Sequence, residues 1–182
     1  MQVTNIILLA YARTSISTTS DNNSIQPQNK NCNYLIAINL KKLYNSDMEY
    51  ISNSLESTRE LAEEIASKLC GNEIILLNGD LGAGKTTFTK ALFAALGVKD
   101  IVTSPTFAFM KEYNAKYKLS HYDMYRAESE DELFELGISD NLFESGVAVI
   151  EWNKFTDFPQ DKKIITIDIE KIGENSRKFE IK

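Results

Sequence analysis

The order of apolar and polar positions in the chain predicts an alternation of helices and strands. Apolar residues recur every four positions between Arg59 and Leu69, which predicts an amphipathic helix that ends before Gly71. Residues 73–78 (EIILLN) form a continuous apolar run, typical of a strand that is buried on both faces. A glycine-rich turn follows, and residues 85–96 form a second predicted helix with Gly97 in the terminating position.

The second half of the chain contains more predicted strands than helices. Residues 107–113 and 117–125 are rich in aromatic side chains and predict a hairpin. Ser129 and Glu132 have the spacing of a reciprocal capping box, so we predict that a helix begins there and extends to about Leu136. Three later strands are predicted over residues 146–151, 162–170 and 178–182. Strands that alternate with helices indicate an α/β fold with a layered sheet.

Residues 1–47 differ in composition from the rest of the chain. They are rich in asparagine and contain a Ser/Thr cluster over residues 14–20, a composition typical of a linker or a disordered segment. Because Met48 stands at the boundary, the segment is either an upstream reading of the start codon or a poorly ordered arm, and the sequence leaves both open. We therefore predict an N-terminal extension over residues 1–47 and one folded domain over residues 48–182.

Charge and composition narrow the classes of function. The formal net charge of −6 argues against an autonomous nucleic-acid binder, so any role with RNA is expected to be indirect. The apolar run over residues 6–12 is shorter than the roughly 20 residues that span a bilayer, and no positive charge precedes it as in a secretory signal. Cys32 and Cys70 match neither a disulfide framework nor a CxxC metal pair. These features predict a cytoplasmic protein in a reducing compartment, without membrane contact.

The strongest chemical motif is GDLGAGKTT at residues 79–87, which contains the full GxxxxGK[ST] phosphate-binding pattern. It follows a predicted strand and precedes a predicted helix, as the pattern requires, so a glycine turn that merely caps a helix is the weaker interpretation. Glycines let backbone amides surround an anion. Lys85 would contact the β- and γ-phosphates, and the Thr86 hydroxyl would be a ligand for Mg²⁺. The candidate nucleotide-binding residues of the motif are Gly79, Asp80, Leu81, Gly82, Ala83, Gly84, Lys85, Thr86 and Thr87.

A phosphate-binding loop of this kind needs a second acid for the metal, at the end of a neighbouring buried strand. Glu151 ends the apolar run VAVIE and is the candidate, although acids also end strands simply because the chain returns to solvent. Trp152 follows it and is interpreted either as a packed aromatic residue or as a gate or partner contact.

Two further segments carry candidate site residues. Thr106 ends the segment TSPT, which is either a nucleotide-sensing loop or an ordinary turn before a strand. In the segment HYDMYR (121–126), strand alternation places His121 and Asp123 on one face, so that Asp123 can point at the site. A lone histidine in a strand is more often structural, and that interpretation of His121 is favoured.

Other features bear on the base and the reaction. The segment NKFTD resembles the NKxD base-reading motif of GTPases, but its aspartate is one residue too far along, and no DxxG motif is present. These departures disfavour GTP. A small nucleoside kinase commonly uses several arginines to hold the transferred phosphoryl group, and this chain has only Arg13, Arg59, Arg126 and Arg177.

Five motifs occur together in the order and approximate spacing of the bacterial TsaE (YjeE) family, which the chain resembles over roughly residues 48–182. They are GDLGAGKTT (79–87), TSPTF (103–107), HYDMYR (121–126), ELFELGI (132–138) and VAVIEW (147–152). Five linked motifs are far more specific than a phosphate-binding loop alone. One departure is Asn153, where the family usually has proline or alanine.

The resemblance implies a three-layer α/β sheet of the P-loop NTPase type and a slow, Mg²⁺-dependent ATPase. Such a protein is an accessory subunit that docks on the TsaD–TsaB pair, which installs threonylcarbamoyladenosine (t⁶A) at position 37 of tRNA. It is not thought to transfer the threonylcarbamoyl group itself. The implied site residues are Lys85 for phosphate, Thr86 and Glu151 for Mg²⁺, Asp123 and Thr106 beside the phosphates, and Thr58 and Arg177 near the nucleotide.

Two other functions stay open at this stage. The chain could use ATP only as an assembly ligand, with incidental hydrolysis, or it could be a small-molecule P-loop kinase. The sequence offers no obvious arginine finger, which is why slow activity of the isolated chain is expected.

Overall fold

The computed structural model describes residues 48–182, which form one seven-stranded sheet with three helices. Predictions about residues 1–47, including the one that involves Cys32, lie outside this range. In chain order the elements are β1 (Met48–Ser52), α1 (Leu55–Lys68), β2 (Glu73–Asn78), α2 (Lys85–Ala95), β3 (Met110–Asn114), β4 (Lys118–Asp123), α3 (Glu130–Glu135), a 3₁₀ turn (Asp140–Phe143), β5 (Val147–Glu151), β6 (Lys163–Lys171) and β7 (Arg177–Ile181).

The sheet is mixed, with a parallel centre and antiparallel edges. Its strand order is β1-β7-β6-β2-β5-β4-β3. The strands β6, β2, β5 and β4 run parallel to one another, whereas β3 pairs antiparallel with β4 and β7 pairs antiparallel with both β6 and β1. The predicted hairpin is therefore confirmed as β3–β4.

Helices and loops cover both faces of the sheet and produce three layers. On one face, α1 and α2 pack with Ile75 and Leu77 of β2. On the other face, Ile74 of β2 packs with Leu133 of α3 and with Phe155. A strand buried on both faces needs a continuous apolar run, which explains the sequence EIILLN. The predicted α/β fold with flanking helices is confirmed.

The first helix begins earlier than predicted. Its N-cap is Ser54, whose hydroxyl accepts a hydrogen bond from the Ser57 amide, while the Ser57 hydroxyl accepts one from the Ser54 amide. Two serines thus form a reciprocal capping box, which favours Ser54 over the later hydroxyls as the helix start. Thr58 therefore lies inside the first turn, where it is buried.

Strand β1 was not predicted from the sequence. It pairs with β7 from Met48↔Ile181 to Ser52↔Arg177, and it alternates only weakly between buried and exposed positions. An edge strand needs little apolar area of its own because main-chain hydrogen bonds hold it.

The helix after Ser129 has one predicted cap contact and lacks the other. The Ser129 hydroxyl accepts from the Glu132 amide as expected. The Glu132 carboxylate instead accepts from the Glu128 amide, 2.8 Å away, so the box is not reciprocal.

Among the described residues, no helix is long and apolar enough to cross a membrane.

The turn between α1 and β2 is organised by one buried carboxylate. Glu73 accepts hydrogen bonds from three successive backbone amides, those of Cys70 (2.8 Å), Gly71 (2.9 Å) and Asn72 (2.9 Å). Its side chain is only 4% exposed. This carboxylate satisfies amides that would otherwise lack partners where the helix ends.

We predict that Glu73→Gln lowers the free energy of unfolding by about 2 kcal/mol, because the amide group accepts fewer of these bonds and brings its own N–H donors against them. Urea denaturation measures the change. Glu170→Gln, on the exposed part of β6, is the matched control and should shift the free energy by less than about 0.5 kcal/mol. Equal effects of the two substitutions would contradict the role given to Glu73.

We also predict that a chain starting at Met48 unfolds with a free energy within about 1 kcal/mol of the full chain, because residues 1–47 offer little apolar area to offset their ordering. A chain starting at Asn53 lacks β1 and the Ser52 hydroxyl, which lies 2.7 Å from the Thr58 hydroxyl, and should be clearly less stable. Urea denaturation of the three chains compares them. Full stability of the Asn53 chain, or insolubility of the Met48 chain, would contradict the boundary.

Candidate functional site

Three parallel strands end together at one edge of the sheet and bring the candidate residues to one place. Leu77 of β2 lies in register with Glu151 of β5, and Glu151 lies in register with Asp123 of β4. The glycine loop leaves β2 directly beyond this row. Ligand sites of open parallel sheets form at this carboxyl edge.

Two glycines give the loop its path. Gly79 has a φ of +141°, and an added Cβ would lie 2.3 Å from the backbone oxygen of Ile169, so any larger residue would displace β6. Gly84 is the N-cap of α2 with a φ of +113°, a left-handed conformation that favours glycine. The loop therefore leads into the first turn of α2, whose amides are the usual binding groups for an anion.

Lys85 lies folded against the loop. Its Nζ donates to the carbonyl oxygens of Gly79 (2.6 Å) and Asp80 (3.0 Å) and lies 3.9 Å from the centroid of the Trp152 ring. The side chain is buried, and burial lowers the pKa of its ammonium. The carboxylates that oppose this shift are those of Glu151, Asp123 and Asp80. An ammonium that is held by carbonyl oxygens can exchange them for phosphate oxygens.

The predicted pair of Thr86 and Glu151 is brought together. The Thr86 hydroxyl lies 2.9 Å from Oε1 and 3.1 Å from Oε2 of Glu151, to which it donates. Glu151 is 3% exposed and receives a further hydrogen bond from Nε2 of His121, 2.8 Å from Oε1. Both hydroxyl and carboxylate are hard oxygen donors of the kind that Mg²⁺ takes.

Asp123 is the acceptor of a hydroxyl cluster. Its Oδ2 accepts from Thr106 Oγ1 at 2.7 Å and from the hydroxyl of Ser104, and the two hydroxyl oxygens lie 2.6 Å apart. Its Oδ1 accepts from the Tyr125 amide at 3.2 Å. These bonds hold residues 103–109 as a loop above the strand ends, which explains why β3 begins at Met110 rather than at residue 107.

A cavity of about 480 Å³ joins these groups. Its wall contains the Lys85 ammonium and the carboxylates of Glu151 and Asp123. The described residues that line it are Leu81, Gly82, Gly84, Lys85, Thr86, Thr87, Ser104, Thr106, Phe107, Asp123, Tyr125, Arg126, Glu151, Trp152 and Arg177. The three motif residues Gly79, Asp80 and Ala83 shape the loop without lining this cavity.

A second cavity, of about 460 Å³, shares Gly84, Thr87 and Arg177 with the first. It lies between the start of α1 and the turn that joins β6 to β7. The described residues that line it are Asn53, Ser54, Leu55, Glu56, Thr58, Gly84, Thr87, Glu174, Asn175, Arg177 and Phe179. Thr58 and Arg177, far apart in the sequence, thus meet at one cavity.

Arg177 supports the loop from the side of β7. Its Nε donates to the carbonyl oxygen of Ala83 at 2.7 Å, and its Nη1 donates to three carbonyl oxygens of the β6–β7 turn. The guanidinium therefore connects the phosphate-binding loop to this turn.

Sequence reasoning missed some contributors to the site. Ser104 lay in the predicted segment TSPT but was not singled out, and the residues of the second cavity other than Thr58, Gly84, Thr87 and Arg177 were not predicted. Trp152 was left between two interpretations; it has a φ of +58° and packs over Lys85 and against Tyr125, 5.0 Å between ring centroids. A non-glycine residue in the left-handed region at a site is a signal that only the structure provides.

The donor set fits a metal that arrives with its ligand rather than one held by the protein alone. The part of the chain that the structure describes contains no group of three or more His, Cys, Asp or Glu side chains placed to hold a metal ion. Thr86 and Glu151 supply two oxygen ligands. Mg²⁺ is commonly bound in this way, by one or two protein oxygens together with phosphate oxygens and water.

Comparisons with known proteins show to which family the chain belongs. The family model of "Threonylcarbamoyl adenosine biosynthesis protein TsaE" matches residues 52–179. The chain is 46% identical over 136 residues to the tRNA threonylcarbamoyladenosine biosynthesis protein TsaE of Aquifex aeolicus, which covers 73% of this chain and 94% of that protein. It is 38% identical over 125 residues to the protein of the same name from Bacillus subtilis, covering 68% and 78%.

A solved structure gives the same result. The crystal structure of YdiB from Bacillus subtilis superposes with a TM-score of 0.58 at 32% sequence identity, and the match covers 75% of this chain and 84% of that one. The family match over residues 52–179 includes the glycine loop and the two acids. The chain belongs to the TsaE family.

Proposed function

We propose that this protein binds MgATP and hydrolyses it slowly, as an accessory subunit of the cytoplasmic machinery that makes t⁶A in tRNA. The observation that carries the proposal is the contact of Thr86 with Glu151 beside the glycine loop, because phosphoryl transfer in P-loop proteins uses this pair. The names of the relatives support the role in t⁶A synthesis.

The loop amides and Lys85 bind the phosphates in this proposal. Lys85 exchanges the carbonyl oxygens of Gly79 and Asp80 for β- and γ-phosphate oxygens. Trp152 lies over the ammonium and limits the access of water to it. Because the site is buried, each of these charge contacts is stronger than it would be in water.

Thr86 and Glu151 would hold the metal of the nucleotide complex. A Mg²⁺ held there would supply positive charge against the charge that develops on the phosphates. The Thr86 hydroxyl donates a hydrogen bond to Glu151, so its oxygen lone pairs point away from Glu151 and are available to the metal.

Thr106 and Asp123 are proposed as the residues that sense the γ-phosphate. A phosphate oxygen in the first cavity would compete with Asp123 for the Thr106 and Ser104 hydroxyls. Release of those hydroxyls changes the loop over residues 103–109, whose Phe107 is 83% exposed. Nucleotide state would thereby reach the surface that a partner contacts.

The second cavity is proposed to take the nucleoside. It continues from the phosphate-binding cavity past Gly84, Thr87 and Arg177, and Thr58 lies on its wall. Its polar side chains provide donors and acceptors for a base and a ribose.

We expect slow hydrolysis by the isolated chain because the arginines at the first cavity already contact other groups. Both arginines that line the first cavity are engaged: Arg177 with backbone carbonyls, and Arg126 over the Phe107 ring, 4.4 Å from its centroid. An arginine that stabilises the transition state can be worth 10³–10⁵ in rate, so its lack gives a slow enzyme. We propose TsaD-type and TsaB-type subunits as partners, with tRNA contacted only indirectly.

The proposal is tested by t⁶A formation in the presence of TsaD-type and TsaB-type subunits with ATP or with a non-hydrolysable analogue. Multiple turnovers with ATP and a single round with the analogue are expected for an ATPase. Equal turnover with both would instead assign the chain as an assembly module. Transfer of phosphate to an added nucleoside or sugar would indicate a kinase.

Lys85→Ala is expected to weaken MgATP binding by at least about 100-fold and to abolish hydrolysis, because a methyl group cannot replace the ammonium that faces the phosphates. Calorimetric titration with MgATP measures the affinity. Lys90→Ala, on the exposed part of α2, is the matched control and should bind as the unchanged chain does. Unchanged hydrolysis by a folded Lys85→Ala protein would contradict the site.

Glu151→Ala is expected to retain part of the nucleotide affinity and to lose most turnover, by about 100-fold, because the loop still binds phosphates while the metal loses a ligand. The comparison needs the affinity and the hydrolysis rate of the same preparation. If binding and rate fall by the same factor, Glu151 has a structural role instead.

A further inference from the structure

The carboxylate of Glu151 has one contact that distinguishes its two oxygens. The Thr86 hydroxyl lies within 3.1 Å of both, but it has a single hydrogen and donates it to one oxygen at a time. His121 contacts Oε1 alone, with Nε2 at 2.8 Å. His121 is therefore the contact that fixes the orientation of the carboxylate.

The imidazole itself is rigidly held. His121 is fully buried in β4, in register with Val149 of β5, and its ring meets the ring of Phe93 edge to face at 6.1 Å between centroids. Its Nδ1 has no hydrogen-bond partner among the described residues. An ionised carboxylate only accepts, so Nε2 carries the hydrogen of this bond.

His121 does not line the cavity that Glu151 and Thr86 line. It therefore acts on the site through Glu151, and it would not touch a nucleotide. Because strand alternation places Asp123 two residues later on the same face, one strand provides both the support for Glu151 and the acceptor of the hydroxyl cluster.

We propose that His121 is a positioning residue: it holds Oε1 of Glu151 so that the carboxylate and the Thr86 hydroxyl are ready to bind the Mg²⁺ of the nucleotide complex. The inference rests on the proposed function of the site. Partners behind a ligand side chain typically change metal affinity or activity by about 10–100-fold when removed.

The experiment compares His121→Leu, which removes the donor but retains apolar bulk against Phe93, with His121→Gln, whose amide can donate from a similar distance. Tyr122→Phe is the matched control, because Tyr122 is the next residue of β4, is equally buried, and packs on the opposite face of the sheet. Fluorescence of Trp152, the only tryptophan of the chain, reports ADP binding with excess EDTA and along a Mg²⁺ titration.

We expect His121→Leu to raise the Mg²⁺ concentration at half-maximal effect by about tenfold or more, with ADP affinity in EDTA changed less than about twofold. His121→Gln should return the Mg²⁺ midpoint to within about threefold of the unchanged chain, and Tyr122→Phe should leave it unchanged. Hydrolysis should show the loss in kcat rather than in KM for MgATP.

An unchanged Mg²⁺ midpoint in folded His121→Leu would overturn the inference, and so would equal losses of ADP affinity with and without Mg²⁺. If the leucine variant does not fold, His121→Asn replaces it, because the shorter amide of asparagine cannot reach Glu151. Equal Mg²⁺ midpoints for the Gln and Asn variants would then overturn the inference. If the unchanged chain binds no nucleotide at all, the proposed function fails. If the unchanged chain binds nucleotide and the His121 variants have the same Mg²⁺ midpoint as it has, the positioning role alone fails.

Discussion

The parallel register of β2, β5 and β4 is the constraint on which the site depends. Leu77, Glu151 and Asp123 lie in one row across the sheet, so the glycine loop that leaves β2 begins beside two carboxylates. Close packing of β2 on both faces favours this register, because a shift by one residue would move each side chain into the opposite layer, among neighbours of different shape. Packing of the core and placement of the site are thus consequences of the same strand pairing.

Three charged side chains lie in or beside this row, and all three are largely shielded from water. Lys85, Glu151 and Asp123 are each about 95% buried or more, and burial of a charge is tolerated where opposite charges and hydrogen bonds surround it. Lys85 has carbonyl partners, Glu151 has Thr86 and His121, and Asp123 has two hydroxyls. Binding of a charged ligand would then exchange one set of partners for another instead of creating the charges anew.

The elements that the sequence predicted well are those with a local pattern of apolar residues or glycines. Residues 73–78 and the helix from Lys85 were predicted almost to the residue, because apolar runs and a glycine motif report directly on burial and backbone conformation. The start of α1 at Leu55 was missed because several hydroxyl residues stand in a row there, and the cap contact between Ser54 and Ser57 decides which of them begins the helix. Strand β1 and the role of Ser104 were missed, because an edge strand and a loop hydroxyl depend on partners far along the chain. The contact of His121 with Glu151 was missed for the same reason. Strand alternation predicted the face on which His121 lies, but its partner stands on a strand 30 residues away.

A structure of the protein with Mg²⁺ and a non-hydrolysable ATP analogue would show directly whether the row of strand ends and the glycine loop bind the nucleotide. We predict that the Nζ atom of Lys85 leaves the carbonyl oxygens of Gly79 and Asp80 for the phosphates, with the metal on the Thr86 hydroxyl beside Glu151. We expect the base in the cavity between α1 and the β6–β7 turn. Lys85 that stays on its carbonyl oxygens while nucleotide binds, or a nucleotide bound away from the carboxyl edge of β2, β5 and β4, would contradict this prediction.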